Sequence, residues 1–263
     1  MIRLEGRAVI YGEVWFDEEP PPPAHAGVDI IEYRCRPNPI PNARTATLLS
    51  LQTDLTAPPE AIVGGFHGGC RYLVRRAEAR DGLRHEVIRD AGDRLDEFAD
   101  FFDDFARQKA LWLADRHWLS RVAVEGQLVL SCASRGSEPL VWHAHLRSGR
   151  TVRLAYSASC FRGMESGYRS LVGRANRWLH WHDMLHFKEA GLECYDWGGV
   201  FADESTPERA GINQFKGTFG GQRVVHYECT VPATPRGRLW LALRERRRAR
   251  QPPRPIPALR QGA

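Results

Sequence analysis

Lysine is nearly missing from this chain. Of 37 basic residues, only Lys109, Lys188 and Lys216 are lysines; the rest are arginine. No apolar run reaches the roughly 18–20 residues that a membrane-spanning helix needs. The opening stretch, MIRLEGRAVIYGEVWFDEE, has no apolar core of a secretory leader and carries Glu5 and Glu13 early. These absences predict a cytoplasmic protein with no transmembrane segment. The six cysteines (35, 70, 132, 160, 194, 229) form no CxxC pair and no zinc spacing with histidine. They read as buried, reduced thiols, with a disulfide framework as the minor alternative. There is no G-x-S-x-G elbow, so a serine nucleophile has no motif support. No internal repeat is visible.

What is present is ordinary globular composition. The chain has 263 residues, 43% hydrophobic and 26% charged, enough for one large domain or two small ones. The net charge of +5 is unevenly placed. Residues 233–263 hold nine arginines and one acid, so that tail carries +8 and the remaining chain −3. A broad basic face on the body is therefore not expected. The organisation reads as N-terminal strands and a proline-rich break over 1–27, an α/β domain over 28–232, and an Arg/Pro-rich, partly disordered tail over 233–263.

Along the body, Pro58-Pro59 opens a helical stretch that glycines at 64–65 and 68–69 divide, ending at Asp81-Gly82. Asp93 can cap a helix whose Leu95, Phe98, Phe101, Phe102 and Phe105 recur at helical spacing. Three antiparallel strands follow, the last being RTVRLAYSAS. A helix expected to begin near Gly173, the strand ECYDWGG, a helix capped by Thr206 with Pro207 and Glu208 behind it, and the strand QRVVHYECTVP complete the domain. The order from 121 to 232 is a meander followed by β–α–β–α–β.

A helix start presents unpaired N–H groups and the positive end of its dipole, which suits a phosphate. Around Gly173 the string is Arg169-Ser-Leu-Val-Gly173-Arg174-Ala175-Asn176-Arg177, which reads either as a phosphate site or as a capped surface helix with solvated arginines. Asp196 lies at a strand end ahead of Gly198-Gly199, where α/β sheets place their sites, and reads equally as a base or as a loop cap. His180, His182 and His186 lie on one helix. Their string HWHDMLH lacks the glutamate of HExxH, and the interleaved Trp178, Trp181, Leu185 and Phe187 favour a packing helix over a metal site. No metal is expected.

Two motifs carry a resemblance. Phe215-Lys216-Gly217-Thr218-Phe219-Gly220-Gly221 resembles the Phe-Lys-x-x-Phe-Gly-Gly motif of the Fem-type aminoacyltransferases, relatives of the GNAT acyltransferases. Tyr195, Asp196 and Gly199 resemble the Tyr-Asp-x-x-Gly segment of that group, and Arg71, Arg75, Ala77 and Gly82 resemble one of its helix ends. Ser170-x-x-Gly173-x-Ala175 is similar to the GNAT acyl-donor loop, with Ser in place of Gln or Arg. The match touches roughly residues 28–232 and is sharp over 168–232, so it is to a single-domain relative.

The resemblance implies a GNAT-like α/β fold, a central mixed twisted sheet flanked by helices. It implies transfer of an aminoacyl or other acyl group from aminoacyl-tRNA to an amine on a cell-wall precursor or small peptide-like metabolite, with no tightly bound cofactor. Acyl-CoA is the alternative donor, and a catalytically silent RNA-binding module the alternative function. Lys216 would stabilise an oxyanion or a departing ribose oxygen as a placed positive charge. A backbone N–H near Tyr156 would polarise the carbonyl, and Asp196, or secondarily His182 or Asp183, would act as base. Arg169, Gly173, Arg174, Ala175, Asn176 and Arg177 would hold the donor; Arg71, Arg75, Phe215, Phe219 and Gly220 would hold substrate. The tail would touch tRNA or an anionic membrane surface.

Overall fold

The computed structural model describes residues 1–6, 8–16, 27–159 and 165–249, with the side chains of 93 and 247–249 outside the description. The described residues divide into two compact units: those within 1–49 together with 225–249, and those within 50–224. These boundaries differ from the divisions expected at 27 and 232. The N-terminal strands, residues 28–49 and the start of the tail fall in one unit.

In the first unit, β1 (Ile2–Glu5) pairs antiparallel with β2 (Ile10–Trp15), and β2 runs parallel to β3 (Ile30–Arg36). The strand β10 (Gln222–Pro232) pairs antiparallel with β3 through Tyr227–Pro232. Val14, Val28 and Ile31 form the apolar cluster of this unit. A helix, α7 (Pro235–Ala249), opens the tail, and Trp240 Nε1 donates to Tyr11 Oη at 2.9 Å. Residues 250–263 of the tail lie outside the described residues.

The second unit carries the chemistry. Its sheet runs in the order β4 (Arg44–Asp54, the part from Ser50), β9 (Cys194–Gly199), β8 (Thr151–Ser159), β7 (Glu138–Ser148), β6 (Leu128–Arg135) and β5 (Leu83–Ile88). Only β8 and β9 are parallel. Side chains alternate across a strand, and β7 uses both faces. Trp142 packs on Phe98 of α3 (Leu95–Lys109), while His143 stacks on His180 of α5 (Ser166–Glu189). The two helices therefore cover opposite faces of the sheet.

The glycines at 64–65 do split the early helix, into α1 (Pro59–Gly64) and α2 (Gly68–Arg80). The aromatic spacing of α3 holds, with Phe98, Phe102 and Phe105 buried. Its start differs: a 3-10 turn over Ala91–Arg94 precedes it, so the cap position falls on Arg94 and not on Asp93. A short helix, α4 (Arg116–Val124), lies between α3 and β6. At α6 (Pro207–Gly217), Thr206 caps as expected and accepts from the Arg209 N–H at 3.4 Å. Cys35, Cys70, Cys132, Cys194 and Cys229 form no disulfide among the described residues, and Cys160 lies outside them.

Candidate active site

The site begins as a break in the sheet. The parallel ladder between β8 and β9 runs only from Thr151/Cys194 to Arg153/Asp196. Both strands continue, β8 to Ser159 and β9 to Gly199, without pairing further. A bulge accompanies the break. His145 faces Leu154 while Ala144 faces Tyr156, leaving Ala155 as the extra residue. It places Leu154 and Ser157, three positions apart, on the same face.

A cavity of about 500 Å³ occupies this opening. Leu154, Ser157 and Ser159 of β8 and Trp197 of β9 form one side. Gly173, Asn176, Arg177 and His180 of α5, Phe215 and Lys216 of α6, and Phe105 and Lys109 of α3 contribute the rest. The volume suits a small acyl group with part of its carrier.

Lys216 is 3% exposed, and its Nζ donates to the Gly199 carbonyl at 2.8 Å. Burial, reinforced by the Arg153 charge and opposed by Asp196, pushes its pKa down to about 7. Both protonation states are thus accessible near neutrality. The approach needs Gly198, which has a φ of +76° and whose Cβ would lie 3.2 Å from the Leu154 carbonyl and 3.7 Å from Nζ.

Asp196 is placed beside this lysine but not as a cavity wall. It is fully buried and ion-paired with the Arg153 guanidinium. It also accepts from Ser50 Oγ at 2.9 Å, Gln52 Nε2 at 3.0 Å and the Gly198 N–H at 2.8 Å. A carboxylate with its lone pairs so engaged is poorly placed to take a proton from a substrate. The geometry gives it a positioning role, holding Arg153 and the Gly198 turn.

The helix start expected at Gly173 is not there. α5 begins at Ser166, so Gly173 to Ala175 lie in its interior, where backbone N–H groups are bonded within the helix. A phosphate site built on those amides is thereby corrected. What remains of the expected donor set is its side chains. Asn176 and Arg177 line the cavity. Arg177 lies over the Phe215 ring at 5.0 Å, donates from Nη1 to the Gly173 carbonyl at 2.9 Å, and has a buried Nε without a hydrogen-bond partner. Arg169 is exposed, Arg174 makes a two-pronged pair with Asp81 at 2.6 and 2.8 Å, and Ala175 is packed in the core.

The other expected residues separate in the same way. Phe215 lines the cavity. Phe219 is 1% exposed among Phe66, Trp197 and His180. Gly220 has a φ of +74°, and a Cβ there would meet the Gly65 carbonyl at 2.6 Å, so it joins two helix ends. Arg71 donates to the Gly64 carbonyl at 2.9 Å, and Arg75 is exposed on α2; neither lines the cavity. Tyr156 faces away, its ring against Phe98, Phe102 and Trp118 and its hydroxyl accepting from the Asp115 N–H at 3.4 Å.

Asp183, a secondary candidate base from the sequence, sits in a buried polar network behind the cavity whose other members the sequence did not single out. Asp183 is hydrogen-bonded to His143 Nδ1 at 2.7 Å and His85 Nε2 at 3.1 Å, and His143 Nε2 to Asn176 Oδ1 at 3.1 Å. Among the described residues, His143, His145 and Asp183 are compact enough to hold a metal ion, their ligand atoms within 4.8 Å of one another. The 2.7 Å contact is a hydrogen-bond length, shorter than two ligands of one tetrahedral ion keep. Besides Asp183, the sequence signal was the pair of histidines at 143 and 145 on one strand.

No protein-family model matches the sequence, and no curated protein matches it. Solved structures do. FemX superimposes at a TM-score of 0.57 with 13% identity, over 74% of this chain and 63% of FemX. The chain thus spans less than two thirds of that protein. The C-terminal domain of a putative lysylphosphatidylglycerol synthetase from Agrobacterium fabrum superimposes at 0.52 with 14% identity, over 83% of this chain and 73% of that one. Among the described residues no helix is long and apolar enough to cross a membrane. The chain thus shares the α/β fold of FemX and of that synthetase domain, as its Fem-like motifs implied.

Proposed function

We propose that this chain is an acyltransferase that moves an aminoacyl group from tRNA to an amine on a cell-wall precursor or small peptide-like acceptor. The observation that carries this reading is Lys216, a buried amine of depressed pKa at the wall of a cavity opened between β8 and β9. Attack of an amine on an ester carbonyl puts negative charge on the carbonyl oxygen and then on the departing ribose oxygen. An ammonium in a dry site stabilises both more strongly than water does. Arg177, stacked on Phe215 at the cavity, would hold a phosphate or the ribose end of the donor. No tightly bound cofactor is needed, and the reaction belongs where charged tRNA is, in the cytoplasm. The arginine tail would add sequence-independent attraction to RNA.

The test is to incubate the purified protein with charged tRNA and, separately, with acetyl-CoA, together with a library of amines. Loss of the aminoacyl group from tRNA only when an amine is present is the expected result. Consumption of acetyl-CoA alone would replace the tRNA donor by acyl-CoA, and consumption of neither would leave a binding module.

A further inference from the structure

The cavity around Lys216 is walled mostly by hydrocarbon. Leu154 of β8 and Trp197 of β9 are buried on one side. Phe105 and Leu111 close it from α3 and the turn that follows, and Ile212 and Phe215 line it from α6. Leu111, Ile212 and Phe215 are half-buried, so each keeps accessible surface to meet a ligand. Stabilising charge at the reacting carbonyl needs none of these six. Among the described residues the wall has one acid, Glu208, exposed in the first turn of α6, where the helix dipole favours it. A cationic side chain would therefore find no buried counter-charge there.

The cavity is also kept wide. Positions 208, 211, 212, 215 and 216 recur three and four apart, so one face of α6 runs along it. Gly211 stands five positions before Lys216, roughly 7.5 Å along the axis at 1.5 Å per residue. That is beyond the reach of a methyl group and suits an aromatic or long aliphatic side chain whose carbonyl sits at Lys216. A Cβ at Gly211 would meet no atom beyond its own helix within 4 Å. Gly173 of α5 lines the same cavity, and a Cβ there would meet only Arg177 Nη1, at 3.9 Å. Glycine inside a helix is costly relative to alanine. Neither position has a positive φ or a close backbone approach to require one. What both glycines preserve is room.

We propose that the transferred acyl group carries a large apolar side chain, aromatic or branched aliphatic, held on Leu111, Ile212 and Phe215, and that the room left at Gly211 sets its size. This rests on the acyl-transfer reading above and holds for either donor, since it concerns the acyl group and not its carrier. The amine nitrogen bonds to the carbonyl carbon. The bond from that carbon to the donor oxygen, or to sulfur in a thioester, breaks, and the leaving atom takes the proton the amine gives up. The apolar wall takes no part in these bond changes. It gains by the area that the side chain removes from water, and a hydrogen or methyl in its place leaves the wall wet. A filled wall also keeps water from the carbonyl, where the charge of Lys216 then acts at full strength.

The experiment varies the acyl group on a fixed carrier. One RNA hairpin ending in CCA is esterified in turn with phenylalanine, leucine, lysine, alanine and glycine; phenylacetyl-CoA and acetyl-CoA serve for the alternative donor. Phenylalanyl or leucyl transfer should exceed alanyl and glycyl transfer in kcat/KM by at least about 10²-fold, since one methylene in an apolar pocket is already worth about 10–200-fold. In Gly211→Leu, which fills the open room and favours the helix, that ratio should fall by at least about tenfold, with KM for the amine little changed. Ile212→Ala, which removes apolar contact, should lower the same ratio. A wild type that prefers alanyl, glycyl or lysyl esters would overturn the proposal and leave the acyltransferase reading standing, and this decides the matter even where a variant fails to fold. A Gly211→Leu protein that keeps the acyl ratio and raises KM for the amine would overturn it too, because the room would then belong to the acceptor. A wild type that transfers no acyl group from either carrier would end the acyltransferase reading, and this proposal with it.

Discussion

Lys216 and Asp196 are a buried cation and a buried carboxylate that feel each other's charge without pairing. Asp196 takes Arg153 as its partner, and Lys216 donates to a backbone carbonyl instead. The lysine's charge is left uncancelled at the cavity wall, and it can be withdrawn by a modest rise in pH.

Lys216→Met should lower turnover by at least about tenfold, the lower end for losing a charge-stabilising donor. The ammonium form disappears as pH rises through about 7. The wild-type rate should therefore fall on the alkaline side of that value. Lys216→Arg stays charged throughout, so its alkaline limb should move to higher pH whatever its absolute rate. Initial rates from pH 5.5 to 9.5 check both.

The same shift acts on stability. The folded-state pKa of Lys216 lies below the ordinary 10.5, so between about 7 and 10.5 the unfolded chain binds more protons. Its burial is most costly below 7 and is relieved as pH rises through that window. Lys216→Met should gain more stability over the wild type at pH 6.5 than at pH 9.5. Urea unfolding of both proteins at the two pH values measures the difference.

Asp196→Asn should destabilise the fold by about 3–5 kcal/mol, since it leaves Arg153 buried without its counter-charge. A general base would behave differently: the variant would fold normally and lose only kcat. Denaturation midpoints set beside kcat separate the two roles.

Gly220→Ala should cost more than about 1 kcal/mol, because its positive φ and the Gly65 carbonyl 2.6 Å away both oppose a side chain. Gly173→Ala, with only the flexible end of Arg177 within 4 Å, should leave the melting temperature within a few degrees. Thermal melts of the two variants provide the contrast.

What could be read from sequence followed from how local each determinant is. The start of α6 was legible because Thr206, Pro207 and Glu208 act within one turn. Lys216 and Phe215 were legible because a seven-residue motif carries them. The start of α5 was not. Gly173 read as a helix opening because small residues suit a phosphate loop, but here it lets the cavity approach the middle of a long helix. Asp196 was placed on the right strand, yet its partners Ser50 and Arg153 lie 146 and 43 positions away. Nothing local distinguishes a carboxylate spent on an ion pair from one poised to take a proton. His180 was hidden for the same reason. On its own helix it reads as packing, while its hydrogen bond to Tyr195 and its stack on His143 come from two distant strands.

The extra residue in β8 ties the chemistry of this protein to the register of its core. Removing Ala155 alone would turn Tyr156 toward the opening and Ser157 into the aromatic layer beneath α3, trading a phenol for a hydroxyl on each side at once. Descendants of this sequence can retune the pocket by exchanging side chains, but a one-residue insertion or deletion in that strand would damage site and scaffold together.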